Sequence, residues 1–428
     1  MRSLKITLLL LLVSFAAQAQ ETNLEWVNSM GGTATDQGNA IVVDAFGNVY
    51  TTGSFRGTVD FDPGPGVFNL TTNGEDVFIS KLDASGVFLW AKNMGGTGTI
   101  SGNAITVDAF GNVYTTGNFT GTADFDPGLG IFNLTASTGA IFVSKLDASG
   151  AFLWAKNMGG ISDYATPIAV DANGNAYTTG SLLGTGDFDP GPGIFDLTAV
   201  GNFDVFISKL DASGAFLWAK NLGGMGTDRG TSITVDARGN VYTTGLFTGA
   251  GDFDPGPGVF ILTPIFSGNS NIFISKLDAS GAFLWAKSIG GASNEQGSSI
   301  AVDVSGNVYT TGHFSGTADF DPGSGIVNLT SAGIYDIFIL KLSQKNVTGR
   351  VYQDFNQNCD QDTFDVTSAS IQIQPQTASP LILVRSWTQI YRCLPWQVAV
   401  KTRFIASPPQ TKPTSTYPTT LPGCIWWS

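Results

Sequence analysis

The sequence predicts an all-β protein, a β-propeller of five four-stranded blades, and two observations lead to that fold class. The segment KLDASGAFLWAK occurs unchanged at residues 145–156, 209–220 and 276–287, and with one change, Val87, at 81–92. The tryptophans before the C-terminal tail recur at intervals of 64 residues three times and 67 once, at Trp26, Trp90, Trp154, Trp218 and Trp285. Self-similarity at a fixed long period is the signature of a repeat architecture.

Each repeat contains four stretches with strand patterning, which in the first repeat are residues 40–44, 48–55, 76–83 and 87–94. They are rich in β-branched and aromatic residues, and apolar and polar side chains alternate along them. No stretch holds a helical period over two turns. Four antiparallel strands per repeat, arranged radially, form a propeller blade. A parallel β-helix is the competing repeat fold, but long units with tight turns favour antiparallel blades.

Short D-x-x-G turns join the strands, as in LDASG at 82–86 and DAFG at 44–47. The aspartate can accept backbone hydrogen bonds two residues on, and the glycine can adopt a left-handed conformation. We therefore expect structural roles for these aspartates. The tryptophan of each repeat, on the last strand, is expected to be a packing anchor between neighbouring sheets.

The order of the strands predicts how the ring closes. The first three strands occur five times, and the tryptophan strand also occurs five times, but its first copy, residues 24–30, precedes every other strand. We expect this N-terminal strand to complete the fifth blade, which would leave no open sheet edge.

The motif AITVDAFGNVYTTGNF at 104–119, followed by IFVSKLDASGAFLWAK at 141–156, resembles the bacterial β-propeller repeat called SBBP, and its first half is similar to NHL repeats. The resemblance covers roughly residues 22–345. It implies an exported propeller module, and the repeat's name implies more blades than the five counted here.

The two ends of the chain differ from the repeats. Residues 1–19 have the layout of a secretory signal peptide, with Arg2 and Lys5 before an apolar run. The propeller is predicted for 20–346, a fragment of an immunoglobulin-like surface domain for 347–369, and a disordered or out-of-frame tail for 370–428. We therefore expect a protein that is secreted or lies on the outer surface of a bacterium.

Charge and cysteine content exclude several classes of function. The chain has 34 Asp and Glu against 21 Lys and Arg, and a body this acidic would repel a nucleic acid backbone. All three cysteines, Cys359, Cys393 and Cys424, lie in the tail, so thiol nucleophiles and thiolate metal sites are excluded from the repeats. The single histidine, His313, occupies a position that varies between repeats and is expected to be surface variation.

Every repeat carries an acidic turn, DFDPG, between its second and third strands. Two carboxylates on one side of an extended D-F-D are surroundings that Ca²⁺ prefers, although turn capping explains the same residues. The candidate ligands are Asp60, Asp62, Asp124, Asp126, Asp187, Asp189, Asp252, Asp254, Asp319 and Asp321. An alternating acidic and amide run in the tail gives a second candidate calcium site, at Asp354, Asn356, Asn358 and Asp360.

The loops between repeats are where the copies diverge, as expected either of an asymmetric ligand site or of relaxed drift. Candidate ligand-binding residues in these loops are Asp36, Asp163, Tyr164, Asp228, Arg229 and Glu295. We expect a non-enzymatic binding or display module, monomeric, without a transmembrane span, that binds an unknown protein or glycan. The alternative is an exported hydrolase that acts on carbohydrate through paired loop carboxylates.

Overall fold

The computed structural model describes residues 23–160, 164–266 and 268–343, together with the backbone of three later strands. The predicted signal peptide lies outside the described residues, as does most of the predicted tail, including its candidate calcium ligands. The described part of the chain is built of β-strands and contains no helix, which confirms the all-β class.

Five repeated sheet units follow one another, and we number them one to five. Unit one contains β2 (Gln37–Val43), β3 (Val49–Asp60), β4 (Asn69–Leu82) and β5 (Phe88–Gly96), preceded by the short β1 (Gly31–Gly32). Unit two contains β6 (Ile100–Val107), β7 (Val113–Asp124), β8 (Asn133–Leu146) and β9 (Phe152–Gly160). Unit three contains β10 (Tyr164–Val170), β11 (Ala176–Leu182), β12 (Thr185–Asp187), β13 (Asp196–Thr198), β14 (Asp204–Leu210) and β15 (Phe216–Gly224).

Units four and five repeat this order. Unit four contains β16 (Arg229–Val235), β17 (Val241–Thr248), β18 (Gly251–Asp252), β19 (Ile261–Leu262), β20 (Ser270–Leu277) and β21 (Phe283–Gly291). Unit five contains β22 (Glu295–Val302), β23 (Val308–Phe314), β24 (Thr317–Asp319), β25 (Asn328–Thr330) and β26 (Asp336–Leu342). A separate three-stranded sheet consists of β27 (Val347–Val351), β28 (Ala369–Gln374) and β29 (Leu381–Leu383).

Within a unit the strands pair antiparallel in chain order. In unit one β2 pairs with β3, β3 with β4, and β4 with β5. This register places Lys81 opposite both Tyr50 and Trp90. The predicted four-stranded pattern is therefore present in units one to four.

Consecutive units are joined by backbone pairing as well as by side chains. The end of β5 pairs with the next unit, Gly95 opposite Asp124 and Gly96 opposite Ala123. A Cβ at Gly96 would lie 2.0 Å from the carbonyl oxygen of Thr122, so only glycine allows this approach. The Gly-Gly pair that ends each outer strand is thus part of the connection between units.

The acidic turns lie between the second and third long strands, as the sequence predicts. β3 continues to Asp60 and β4 begins at Asn69, so DFDPG is the tip of a long hairpin. Next to this tip Phe68 packs on Phe88, the first residue of the outer strand, with ring centroids 5.0 Å apart. The loop that leads from unit one to unit two begins at the other end of this nine-residue outer strand, roughly 25 Å from Phe88. Each turn also adjoins the loop that precedes its unit, because Asp60 pairs with Gly31 and Asp124 with Gly95.

The hydrophobic core is a series of layers between units. We call the face of a unit that contacts the next unit in the chain its trailing face. We call the face that contacts the preceding unit its leading face. In the first layer Val77 and Ile79 of unit one pack with Ile105 and Phe142 of unit two, and all four side chains are buried. Equivalent layers join units two and three, three and four, and four and five.

The structure does not confirm closure of the ring by the N-terminal strand. Residues 23–30 form no strand, and β26 has β23 as its only partner among the described residues. Unit five consequently lacks the fourth, outer strand that units one to four possess.

Candidate binding surface at the inter-unit loops

The repeated twelve-residue segment KLDASGAFLWAK, which we call the dodecamer, is explained by contacts between one copy and the next. Trp90 donates its indole N–H to the carbonyl oxygen of Ala148 at 3.3 Å, and the Lys81 ammonium donates to the same oxygen at 3.2 Å. Lys81 also lies over the ring of Tyr50, 4.8 Å from its centroid. The tryptophan and lysine of one unit thus bind the D-A-S-G turn of the next.

The five tryptophans of the repeats lie at or near a junction or at the start of unit one. Trp154 and Trp218 donate to Ala212 and Ala279 in the same way as Trp90, and Trp26 donates to Ala84. Trp285 packs at the junction of units four and five against Tyr242, with centroids 6.4 Å apart. These side chains therefore contribute contacts where units meet or where the first unit begins.

The carboxylates of the DFDPG turns are occupied with the backbone of their own hairpin. Asp60 Oδ1 accepts the amide N–H groups of Asp62 at 3.0 Å and Phe68 at 2.8 Å, and Asp62 Oδ1 accepts that of Gly64 at 2.8 Å. The same bonds recur in the other four units, at Asp124, Asp126, Asp187, Asp189, Asp252, Asp254, Asp319 and Asp321.

The phenylalanine between the two carboxylates is a core residue. Phe61 is buried and packs on Phe55 and Phe78, with ring centroids 5.4 and 5.0 Å away. Across the described residues, no group of three or more His, Cys, Asp or Glu is placed to hold a metal ion. The geometry of the turn is therefore that of a capped hairpin.

Three of the candidate loop acids anchor the loops from within. Asp36 Oδ2 accepts the amide N–H of Gly32 at 2.8 Å, Asp228 Oδ2 that of Gly224 at 2.8 Å, and Glu295 Oε2 that of Gly291 at 3.1 Å. Asp228 and Glu295 are fully buried, whereas Asp36 is partly exposed at the open end of unit one. Asp163 and the side chain of Tyr164 lie outside the described residues.

The junction of units three and four contains a buried pair of acids. Asp204, at the start of β14, and Asp228 both approach Gly223, whose Cβ would lie 3.1 Å from Asp204 Oδ1 and 2.4 Å from Asp228 Oδ2. Asp204 Oδ2 accepts the amide N–H of Val200 at 2.9 Å, but its Oδ1 has no hydrogen-bond partner. Asn271 and Glu295 occupy the equivalent positions at the next junction, and Glu295 Oε1 is also unpartnered.

Burial shifts the ionisation of these groups. Desolvation, with a smaller contribution from the charge of Asp204, raises the pKa of Asp228 to about 7. Desolvation also raises the pKa of Asp204, and it raises that of Glu295 to about 7. Since these carboxyl groups are enclosed and hydrogen-bonded to loop amides, a substrate in solution cannot reach them in this conformation.

Above the acid pair the same junction presents an exposed Arg-aromatic surface that is absent from the junctions of units one and two and of units four and five, whose loops the structure describes. Arg229 is exposed and lies over the ring of Phe203, 5.0 Å from its centroid. Met225 is 80% exposed, and Asn202 donates to the Thr227 hydroxyl at 3.1 Å. We call Met225, Arg229, Phe203 and Asn202 the junction patch. Sequence divergence pointed to Arg229, but Phe203 and Asn202 were missed because they lie just before the core strand β14 and outside the loops between repeats.

His313 lies on β23 and packs against the ring of Tyr335, with centroids 4.9 Å apart. Neither residue belongs to the junction patch.

A family model for the β-propeller repeat SBBP matches residues 89–125, which run from the outer strand of unit one to the DFDPG turn of unit two. These residues are an SBBP repeat. This confirms the repeat type that the sequence motifs suggested.

Two curated proteins are similar to this chain. An uncharacterised WD repeat-containing protein, L264, of Acanthamoeba polyphaga mimivirus is 25% identical over 399 residues, covering 74% of this chain and 28% of its own length. Regulatory protein FlaEY of Caulobacter vibrioides is 29% identical over 145 residues, covering 32% of this chain and 14% of its own length. The chain thus spans less than a third of either relative.

Among solved structures, a protein of unknown function from Bacteroides caccae superposes with a TM-score of 0.29 at 9% identity, covering 71% of this chain and 89% of the other. In the residues that the structure describes, no helix is long and apolar enough to cross a membrane.

Proposed function

We propose that the chain is an exported, non-enzymatic binding module whose five units are five propeller blades, and that it contacts its ligand through the junction patch. The observation that carries this proposal is the asymmetry of the patch. The junctions share one scaffold of Gly-Gly pairing and tryptophan contacts, and an Arg-aromatic stack beside an exposed methionine occurs in the loops of units three and four. Exposed aromatic, Met and Arg side chains are enriched where proteins bind partners.

The scaffold beneath the patch suits a binding surface. Asp228 Oδ1 accepts the amide N–H of Thr248 at 3.0 Å while its Oδ2 holds Gly224, so one buried side chain fixes the loop to two strands. A loop that is held in place before binding loses less entropy when the ligand arrives. The ligand class that we propose is a protein or a glycan outside the cell, because the N-terminal residues have the layout of an export signal.

We further propose that the module functions without catalysing a reaction and without binding calcium. Asp228 and Glu295 are buried in the junctions, and the DFDPG carboxylates cap their own turns. Both features support a structural role for the aspartates.

The proposal is tested with the full chain on a printed array of polysaccharides and extracellular proteins. The variant Met225→Ala with Arg229→Ala should lose at least tenfold in affinity for any ligand that the parent binds saturably. The matched control is Thr97→Ala with Ser101→Ala, which alters the corresponding loop positions between units one and two. Equal loss in both variants would argue against the junction patch, and release of new reducing ends from a bound polysaccharide would show that the protein is an enzyme.

A further inference from the structure

The interface between units is formed from two different faces that recur through the chain. On the trailing face, two aliphatic side chains of the third long strand are fully buried in each of the first four units: Val77 and Ile79, Ile141 and Val143, Val205 and Ile207, Ile272 and Ile274. On the leading face, an isoleucine of the innermost strand is buried against the preceding unit, as Ile105, Ile233 and Ile300 show. Each buried interface therefore joins one trailing and one leading face.

Within the part of the chain that the structure describes, one face of each kind is left uncovered at the two ends of the series of units. On the trailing face of unit five, Ile337 and Ile339 are 80% and 84% exposed. On the leading face of unit one, Ile41 is 66% exposed. These residues occupy the positions of the buried isoleucines and valines in the internal junctions. The two uncovered faces are thus the two complementary halves of an interface that the chain forms four times internally.

The N-terminal segment is already docked as an outer strand would be. Trp26 donates to the carbonyl oxygen of Ala84 at 3.2 Å, as Trp90 does to Ala148, and Asn28 donates to that of Gly86 at 2.7 Å. Gly31 and Gly32 pair with Asp60 and Val59, as Gly95 and Gly96 pair with Asp124 and Ala123. Residues 24–30 therefore hold the position of an outer strand that has no sheet of its own among the described residues.

At the other end, β26 exposes an edge without a strand partner among the described residues. An unpaired edge is a template for another strand. In the internal units the register is constant, for example Val143 opposite Lys156 and Lys145 opposite Trp154. The same register would place Ile339 opposite Asn28 and Lys341 opposite Trp26.

We propose that unit five of one chain docks on unit one of a second copy of this chain, with β26 pairing with residues 24–30 of that copy. The interface would repeat the internal one in both its apolar layer and its strand pairing. Such a contact joins two different surfaces head to tail, so it propagates into larger assemblies until a ring closes. This assembly replaces the monomer that the sequence alone led us to expect, and it does not depend on the proposed ligand site.

A second copy is favoured over closure within one chain because both faces are exposed at the same time while the N-terminal segment is already docked on unit one. Closing the ring within one chain would require the internal junctions to bend, and each of them is held by Gly-Gly strand pairing. Docking a second copy leaves every internal junction unchanged.

The deciding experiment is a disulfide trap in the full chain, with the three native cysteines replaced by serine and the changes Asn28→Cys and Ile339→Cys introduced together. Under mild oxidation we expect a ladder of covalent dimers and larger species on a non-reducing gel, more abundant at higher protein concentration. A monomeric band whose intact mass is lower by two hydrogens would show that the strand closes its own ring and would overturn the proposal. The absence of any crosslink at all concentrations would also overturn it.

A second measurement tests the apolar face without cysteines. Light scattering coupled to size exclusion should show a mass that rises with concentration for the parent chain, and at least a tenfold weaker association for Ile337→Lys with Ile339→Lys. The control, Leu129→Lys with Ile131→Lys, changes two side chains that are also exposed but lie at the tip of the unit-two hairpin, and it should associate like the parent. A parent that remains monomeric over the whole range, or a control that dissociates equally, would refute the head-to-tail interface.

Discussion

At the scale of single residues, the dodecamer is repeated because each copy is both a binding partner and a binding site. Ala148 offers its carbonyl oxygen to Lys81 and Trp90 of the unit before, while Lys145 and Trp154 of the same unit bind Ala212 of the unit after. A change in one copy would have to be matched in its neighbours. This reciprocal requirement explains why the same twelve residues recur.

Two glycine substitutions distinguish the stability contributed by the dodecamer contact from the backbone strain of a left-handed turn residue. Gly150 has a φ of 81°, and a Cβ there would lie 3.0 Å from Lys92 Cε and 3.2 Å from the Trp90 ring. Gly57 has a φ of 70°, and a Cβ there would meet no atom within 4 Å. Both Gly150→Ala and Gly57→Ala should lose about 1–2 kcal/mol from left-handed strain. We expect Gly150→Ala to lower the melting temperature further, because it also disturbs the Trp90 contact, and equal losses would contradict that.

The buried acid pair predicts a pH dependence of stability. The pKa of Asp228 is raised from 3.8 to about 7, so between these values the folded chain binds a proton that the unfolded chain does not. Its contribution to the free energy of unfolding is therefore greatest below about pH 4 and is lost as the pH rises toward 7. The change Asp204→Asn removes the neighbouring charge and supplies an N–H donor in the place of the unpartnered oxygen. It should raise the melting temperature at pH 7.5 by roughly 1–3 °C, with little effect at pH 4.

The next junction supplies the matched control for that prediction. Asn271 is the residue that corresponds to Asp204, and its neighbour Glu295 has its pKa raised to about 7 by burial. The change Asn271→Asp would create a second acid pair, so it should lower the melting temperature at pH 7.5 and have little effect at pH 4. If both changes shift stability in the same direction at pH 7.5, the acid pair is not the cause.

At the scale of elements, the hairpin of β3 and β4 shows what the sequence could and could not reveal. The strand cores at 48–55 and 76–83 were predictable because aromatic and β-branched residues alternate along them. Their extension to Asp60 and Asn69 was not, because the added segment is interrupted by glycines and folds back onto the outer strand through Phe68 and Phe88. A contact between residues of different strands leaves no local period in a sequence.

The candidate binding site was only partly predictable, because it too depends on contacts between residues that are distant in the sequence. Divergent loop positions identified Asp228 and Glu295, but their burial turns them into loop anchors rather than ligand contacts. Burial depends on how the units stack, which a single sequence does not reveal. Arg229 was identified and lies at the surface, while its stacking partner Phe203 belongs to a one-residue insertion before β14 that no periodicity marks.

The turn aspartates give a prediction about metal. Asp124 Oδ1 accepts two amide N–H groups, from Asp126 at 3.0 Å and Phe132 at 2.8 Å. The change Asp124→Ala leaves both without an acceptor and should cost about 1–3 kcal/mol, whereas Asp124→Asn keeps one oxygen and should cost less. The melting temperature of the parent should be the same with millimolar calcium and with chelator. A calcium-dependent rise that both variants abolish would instead make the turn a metal site.

At the scale of the whole molecule, the units form a linear series in which each layer joins only neighbours. The stability of such a series is approximately the sum of unit and interface contributions, so damage to a central interface can divide the molecule into two folding units. The layer between units two and three contains Trp154, which is buried and bonded to Ala212 at 3.1 Å. Trp26 makes the same bond to Ala84 of unit one, but no unit precedes unit one among the described residues.

This arrangement predicts different effects for the same substitution. Loss of a large buried aromatic side chain costs about 3–5 kcal/mol, so Trp154→Ala should split thermal unfolding into two transitions, one for units one and two and one for units three to five. Trp26→Ala affects only the first unit and should leave one main transition with a small early loss of signal. Calorimetry of the full chain, at a concentration low enough to prevent association, measures both. A single unshifted transition for Trp154→Ala would show that cooperativity does not depend on this layer, and would contradict a series coupled only through neighbouring units.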